Sequence, residues 1–147
     1  MNVYIYSRED IVQLLKKGFP DNTAVISFSG QFPAEYMMDY YGKPKRLFRV
    51  KIPDIHYDEL SDYDISYEDY FKEADELAEF IIMAQKDGLD IICQCEYGQS
   101  RSAGCAAAIL EFFYKKGILV FSSYKYCPNQ MVFHKVYDAL KNYKINN

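Results

Sequence analysis

Tryptophan is absent from this 147-residue chain, and histidine occurs only at positions 56 and 134. Two histidines so far apart, with no Cys-x2-Cys pair to join them, make a poor zinc site. No metal or other cofactor is expected. An excess of positive charge is also missing: 17 Lys and Arg stand against 21 Asp and Glu, a formal net charge of −4. The chain as a whole is therefore not expected to adhere to nucleic acid or to a membrane. An anion site would have to be assembled locally, from backbone N–H groups and a few cations. No apolar run approaches the roughly 20 residues that span a bilayer. Met1 to Arg8 shows no basic stretch followed by an apolar one, so no secretion signal is read there and a cytoplasmic location is expected. Repeats, Gly/Ser-rich linkers and low-complexity tracts are lacking too, which argues for one domain over residues 1–147.

Cysteine is sparse, at positions 93, 95, 105 and 127. In a chain without a secretion signal these read as reduced thiols rather than structural disulfides. What is abundant is apolar: half of the residues are hydrophobic and 26% are charged, enough for a packed core and too little polarity for disorder.

Along the chain, Val3–Tyr6 reads as a short strand. Ser7 then offers an N-cap to a helix with Ile11, Val12, Leu14 and Leu15 on one face, ending at Gly18. Ala24–Phe28 is a second strand, followed by a loop from Gly30 to Pro44 that carries Tyr36, Tyr40 and Tyr41. Leu47–Ile52 is a third strand, stopped by Pro53. An acidic loop follows, with Asp54, Asp58, Glu59, Asp62 and Asp64. Ser66 with Asp69 resembles a capping box, so a helix is expected from there to Gly88, with Tyr67, Tyr70, Phe71, Ala74, Leu77, Ala78 and Ile81 as its apolar stripe. Ile91–Gln94 is a buried strand. Ala-rich sequence from Ser102 to about Lys116 suggests a buried helix ended by Gly117. Asn129 caps a last helix that presents Phe133, Val136, Tyr137, Leu140 and Tyr143. Strands alternating with helices predict an α/β fold: a central, mainly parallel sheet flanked by helices.

Between the fourth strand and the helix after it lies Cys95-Glu96-Tyr97-Gly98-Gln99-Ser100-Arg101-Ser102. A strand-to-helix turn aims successive N–H groups and a helix N-terminus into one concavity, which suits an anion. The same field favours thiolate over thiol. Cys95 enters the loop from the strand. Arg101 opens the helix, where its planar fork can chelate two phosphate oxygens. Gly98 permits a backbone angle or a close approach that a side chain would block. Ser102 can donate to the sulfur and make it a better leaving group. Glu96, Tyr97, Gly98, Gln99, Ser100 and Arg101 would surround the bound phosphate. Against this stands an inert buried Cys95 with Arg101 in a surface ion pair, which the placement of the whole motif between buried elements disfavours.

On these residues the chain resembles the protein tyrosine phosphatase superfamily, especially its compact dual-specificity-like members: Cys95, Arg101 and Ser102 match the signature Cys-x5-Arg-Ser/Thr. The segment from Phe71 to Ile81 is similar to the helix that precedes the signature strand in that family. Cys127-Pro128-Asn129-Gln130 is similar to its C-terminal Pro-Asn segment, and Lys51-Ile52-Pro53-Asp54 to the entry of the loop bearing the general acid. Gln94 stands where most members have His. The resemblance implies a cysteinyl-phosphate mechanism without metal, with Cys95 as nucleophile, Arg101 as phosphate clamp and an aspartate as acid and then base. Asp54 occupies the matching position, while Asp58 and Asp62 share the loop and lie nearer the usual spacing. The implied activity is hydrolysis of phosphotyrosine, with phosphoserine and phosphothreonine as further substrates. Phosphoinositides or other small phosphate esters are the second reading, disfavoured by Glu96, and a phosphate-binding pseudophosphatase module is the third.

The remaining conspicuous residues read more plainly. Cys93 projects to the same side of its strand as Cys95; core packing is its first reading and a reversible disulfide with Cys95 its second. Cys105 and Cys127 read as incidental thiols and His56 as an exposed loop residue. Tyr36, Tyr40 and Tyr41 read as loop tyrosines packed on the core, or else as the walls of a pocket.

Overall fold

The computed structural model describes residues 1–30 and 36–147. Within them β1 (Val3–Tyr6), β2 (Thr23–Ser29), β3 (Arg46–Lys51) and β4 (Asp90–Gln94) form one sheet in the order β1-β4-β2-β3. Every pairing is parallel, so the mainly parallel sheet is parallel throughout the described residues. β2 and β4 lie at its centre and are buried along almost their full length. That burial is why both read in sequence as short apolar runs rather than as alternating strands. Register sets Ile26 beside Cys93 and Ser27 beside Gln94. All carboxyl ends therefore emerge at one edge of the sheet, the edge where parallel α/β sheets place their ligands.

Helices cover both faces. α2 (Ala74–Lys86), α3 (Arg101–Tyr114) and α5 (Gln130–Asn146) pack on one, sharing a core of Ile26, Phe28, Ile91, Leu77, Ile109 and Val136. α1 (Arg8–Lys17) covers the other, with Ile11 against Val25, Ile92 and Tyr40. Successive β4 residues alternate between the two layers, as strand geometry requires: Ile91 and Cys93 face the first, as does Cys95 just beyond the strand, and Ile92 faces the second. None of the described helices is long and apolar enough to cross a membrane.

The ends of α1 and α5 follow their sequence signals. Ser7 and Asp10 form a reciprocal capping box, and the Asn129 side chain accepts from the Val132 amide at 3.0 Å. The helix expected from Ser66 departs from its signal. Ser66 does accept from the Asp69 amide at 3.2 Å, but Phe71 adopts φ 64° and regular helix begins only at Ala74. A left-handed backbone at a bulky residue is strained, and what offsets the strain is burial of two neighbours. The Tyr70 hydroxyl donates to the Pro53 carbonyl at 2.9 Å, and Phe71 meets Phe28 edge-on at 5.9 Å. An uninterrupted helix would not place both. At the other end of α3 the C-cap is Lys115, at φ 60°, and not Gly117. A short α4 (Ile118–Phe121) follows; four residues are too few for any periodicity to announce them.

Candidate active site

The loop from Cys95 to Ser102 joins β4 to α3 at the carboxyl edge of the sheet. Its shape is imposed from outside. The Glu96 carbonyl accepts from the Arg8 amide at 3.1 Å, that of Gln99 from the Cys127 amide at 2.9 Å, and that of Ser100 from the Gly104 and Asn129 amides at 2.8 and 3.0 Å. In a trans peptide the N–H points opposite to the C=O. With these carbonyls held by outside partners, the amides of Tyr97, Ser100 and Arg101 point away from those partners, beside the start of α3. This is an anion cradle. Gly98 at φ 66° completes it: a Cβ there would stand 2.6 Å from the Ser7 nitrogen and 2.8 Å from the Tyr6 carbonyl carbon, so only glycine fits against β1.

Cys95 lies at the floor of the cradle, 2% exposed, with its amide bonded to the Tyr6 carbonyl at 3.3 Å. Its Sγ and the Ser102 Oγ are 3.0 Å apart, close enough for the hydroxyl to donate to a thiolate. Arg101 is buried, and its guanidinium donates to the Ile52 carbonyl at 3.2 Å. That bond ties the first residue of α3 to the segment leaving β3, two positions before Asp54. Glu96 sits on the rim in an ion pair with Arg8 at 2.9 Å, and Arg8 also donates to the Tyr36 carbonyl. Tyr97 is exposed on the same rim.

Of the three candidate aspartates, only Asp54 touches the loop. Its Oδ1 accepts from the Ser100 hydroxyl at 2.6 Å and from the Asn129 Nδ2 at 3.0 Å. The same Nδ2 donates to the Ile55 carbonyl at 3.0 Å, so Asn129, itself buried, holds the Asp54 carboxylate and the backbone at Ile55 together. Asp58 lies in a short 3₁₀ turn, Tyr57–Glu59, and Asp62 in the turn after it. Both are exposed, and among the described residues neither bonds to the loop.

Gln94, in the place of the usual His, is buried beneath the loop. Its Oε1 accepts from the Ser27 hydroxyl at 2.5 Å and the Tyr40 hydroxyl at 2.7 Å. Tyr40 thus belongs to the core, and burial pushes its phenol well above the ordinary range. Tyr36 and Tyr41 are exposed; residues 31–35 of the same loop lie outside the described residues. Cys93 is fully buried and its thiol is pushed up, chiefly by that burial and then by hydrogen bonding to Cys105. It is a neutral core residue, as its first reading had it. All four cysteines are free, and Cys127 is exposed. His56 is exposed, with its amide donating to Glu59 at 2.9 Å.

Two contributors were not foreseen: Ser100 and Asn129 as partners of Asp54. The Pro-Asn pair beside a helix start signalled a cap and nothing more, because the second partner of Asn129 lies 75 positions away.

No family model and no curated protein matches the chain, whereas solved structures do. Human DUSP28 aligns at 15% identity over 99% of this chain and 95% of its own, with a TM-score of 0.60. Tk-PTP in its active form aligns at 14% identity over 96% and 92%, TM-score 0.58. PTPMT1 aligns at 13% over 99% and 93%, TM-score 0.56. At such identities the likeness speaks to the fold. With an all-parallel sheet, helices on both faces and a cradle between β4 and α3, the chain has the fold of the protein tyrosine phosphatase superfamily in its compact dual-specificity-like form.

Proposed function

We propose that this protein is a cysteine-dependent phosphatase that hydrolyses phosphotyrosine, and phosphoserine or phosphothreonine as further substrates, on phosphorylated proteins or small phosphate esters in the cytoplasm. The observation that supports the reading is that one loop touches both a buried cysteine and a carboxylate: Ser102 stands 3.0 Å from the Cys95 sulfur, and Ser100 stands 2.6 Å from the Asp54 carboxylate.

In the first step the Cys95 thiolate attacks phosphorus, forming an S–P bond as the P–O bond to the leaving group breaks. The inward amides and the Arg101 guanidinium take the charge of the equatorial oxygens. Asp54 gives its proton to the departing oxygen. Both hydrogen bonds to Asp54 end on Oδ1, which leaves Oδ2 to carry that proton. In the second step water attacks phosphorus, Asp54 takes the water proton, and the S–P bond breaks while Ser102 donates to the leaving sulfur. Phosphate is released and thiolate is restored. Phosphotyrosine is favoured because Cys95 is buried, and a phosphate on a long aromatic stem reaches a buried nucleophile more readily than one on a short aliphatic stem. The Arg8–Glu96 pair leaves the rim without the surplus cations that a multiply anionic headgroup needs.

The test is turnover of an aryl phosphate with chelator present, wild type against Cys95→Ser. Metal-independent turnover that disappears in the variant supports the reading; turnover that survives the substitution overturns it.

A further inference from the structure

Residues 112–137 contain no Asp or Glu, although the chain carries 21 of them, and they include Lys115, Lys116, Lys125 and Lys135. Residues 117–127 of this segment run back along α3 toward the cradle. After α3 the chain turns back along it. Gly117 lies against the Ala107 carbonyl, where a Cβ would stand at 2.8 Å. Val120 packs on Ala103 and Ala107, and the Cys127 amide reaches the loop at Gln99. The segment therefore runs from the far end of α3 to the rim of the site. Along it only one residue of α4, Val120, is buried. Ile118 and Leu119 are 65% and 62% exposed and Tyr124 is fully exposed. Lys115, Lys116 and Lys125 are exposed as well, and among the described residues none of them lies in an ion pair.

We propose that this face docks on an anionic membrane surface, with Ile118, Leu119 and Tyr124 entering the headgroup boundary and the three lysines meeting anionic lipid. Exposed aliphatic and aromatic side chains framed by lysine are the composition that binds such an interface. Charge complementarity favours a bilayer over a protein: residues 112–137 carry lysines and no carboxylate, and Glu111, whose side chain lies beside Gly117, borders the face at its far end. The resulting asymmetry would turn this face toward a negative surface and the rest of the molecule away. A net charge of −4 is thus an average that conceals a basic edge. Docked this way, the rim formed by Gln99 and Tyr97 would sit next to the lipid headgroups. The proposal goes beyond the catalytic reading and does not depend on it.

The experiment is co-sedimentation of the full chain with phosphatidylcholine vesicles, with and without about a third phosphatidylserine. Binding is expected only with the anionic lipid and should fall as salt is raised. Lys115→Gln/Lys116→Gln/Lys125→Gln should weaken it by at least about tenfold, and so should Ile118→Ser/Leu119→Ser. All five side chains are exposed, so both variants should melt as wild type does. Soluble aryl phosphate turnover, measured in parallel, should be unchanged by either. Its absence in wild type would bear on the catalytic reading alone. Wild type that fails to bind anionic vesicles, or binding that both variants retain, overturns the proposal. A dimer in sedimentation that Ile118→Ser/Leu119→Ser dissolves, with no vesicle binding, would assign the face to a second copy and overturn it equally.

Discussion

The Asp54 carboxylate and the Ser100 hydroxyl meet at 2.6 Å across 46 positions of sequence. The Cys95–Ser102 loop and the segment after β3 are thereby joined, and Asn129 fastens the same carboxylate from the N-cap of α5. Should Asp54 be the acid, Asp54→Asn will lower kcat for phenyl or alkyl phosphate by about 10²-fold or more. The loss will shrink for a leaving group of low pKa, which departs without a proton. Asp58→Asn and Asp62→Asn make the same charge change in the same loop and should leave the leaving-group dependence as in wild type. The finding that either of them reproduces it would move the acid there.

Ser100→Ala and Asn129→Ser test the fastening. Serine can still cap α5 but cannot span to both Asp54 and Ile55. Each variant should show part of the Asp54→Asn pattern, with a steeper dependence on leaving-group pKa and a small change in KM. A uniform loss across leaving groups would indicate general disturbance instead.

Arg101→Lys keeps the charge and loses the planar fork, along with the geometry of the bond to the Ile52 carbonyl. Transition-state electrostatics of this kind contribute about 10²–10³-fold, and kcat/KM should fall by that order. Ser102→Ala, which removes the hydroxyl 3.0 Å from Sγ, should slow the second step more than the first. A burst of leaving group followed by slow turnover in rapid-mixing kinetics is the expected signature.

Gly104 offers a test of coupling through the fold. A Cβ there would come within 2.4 Å of the Asn129 carbonyl oxygen, so Gly104→Ala must displace the start of α5. Overpacking of this kind costs about 1–3 kcal/mol. A calorimetric melt should fall accordingly, and activity should drop with the leaving-group pattern of Asn129→Ser. Gly98→Ala, blocked by the backbone at Ser7 and Tyr6, should destabilise similarly and deform the cradle itself.

Burial pushes the phenols of Tyr40 and Tyr70 up from their ordinary value. In the unfolded chain they ionise near ~10. Above that pH the unfolded state loses protons that the folded state retains, so stability falls as pH rises from there. Below it this contribution is fully present. The melting temperature should decline on the alkaline side of about pH 10. Tyr40→Phe should reduce the slope of that decline while lowering the plateau, since Gln94 loses one of its two donors. An unchanged slope would show that Tyr40 does not drive it.

Much of this protein was legible in sequence because it is governed by local rules. Ser7 and Asn129 cap their helices through bonds to amides three residues on, and Ile91–Cys93 is apolar because it lies at the centre of a parallel sheet. The Cys95–Ser102 spacing, set between a strand and a helix, carries the cradle with it. Other features were decided by contacts between distant segments. Phe71 departs from the helix its neighbours suggest because Phe28 and Pro53 claim the adjoining rings. Position after Pro53 favoured Asp54 and spacing favoured Asp58 and Asp62, and only the fold sets one of them, Asp54, against Ser100. Gln94 stands in an unexpected place, and only the packing of Ser27 and Tyr40 against it supplies the donors that let a buried amide oxygen sit there. A local signal needs only the chain's own geometry over a few residues, whereas these choices depend on which side chains the assembled sheet and helices bring within about 3 Å of each other.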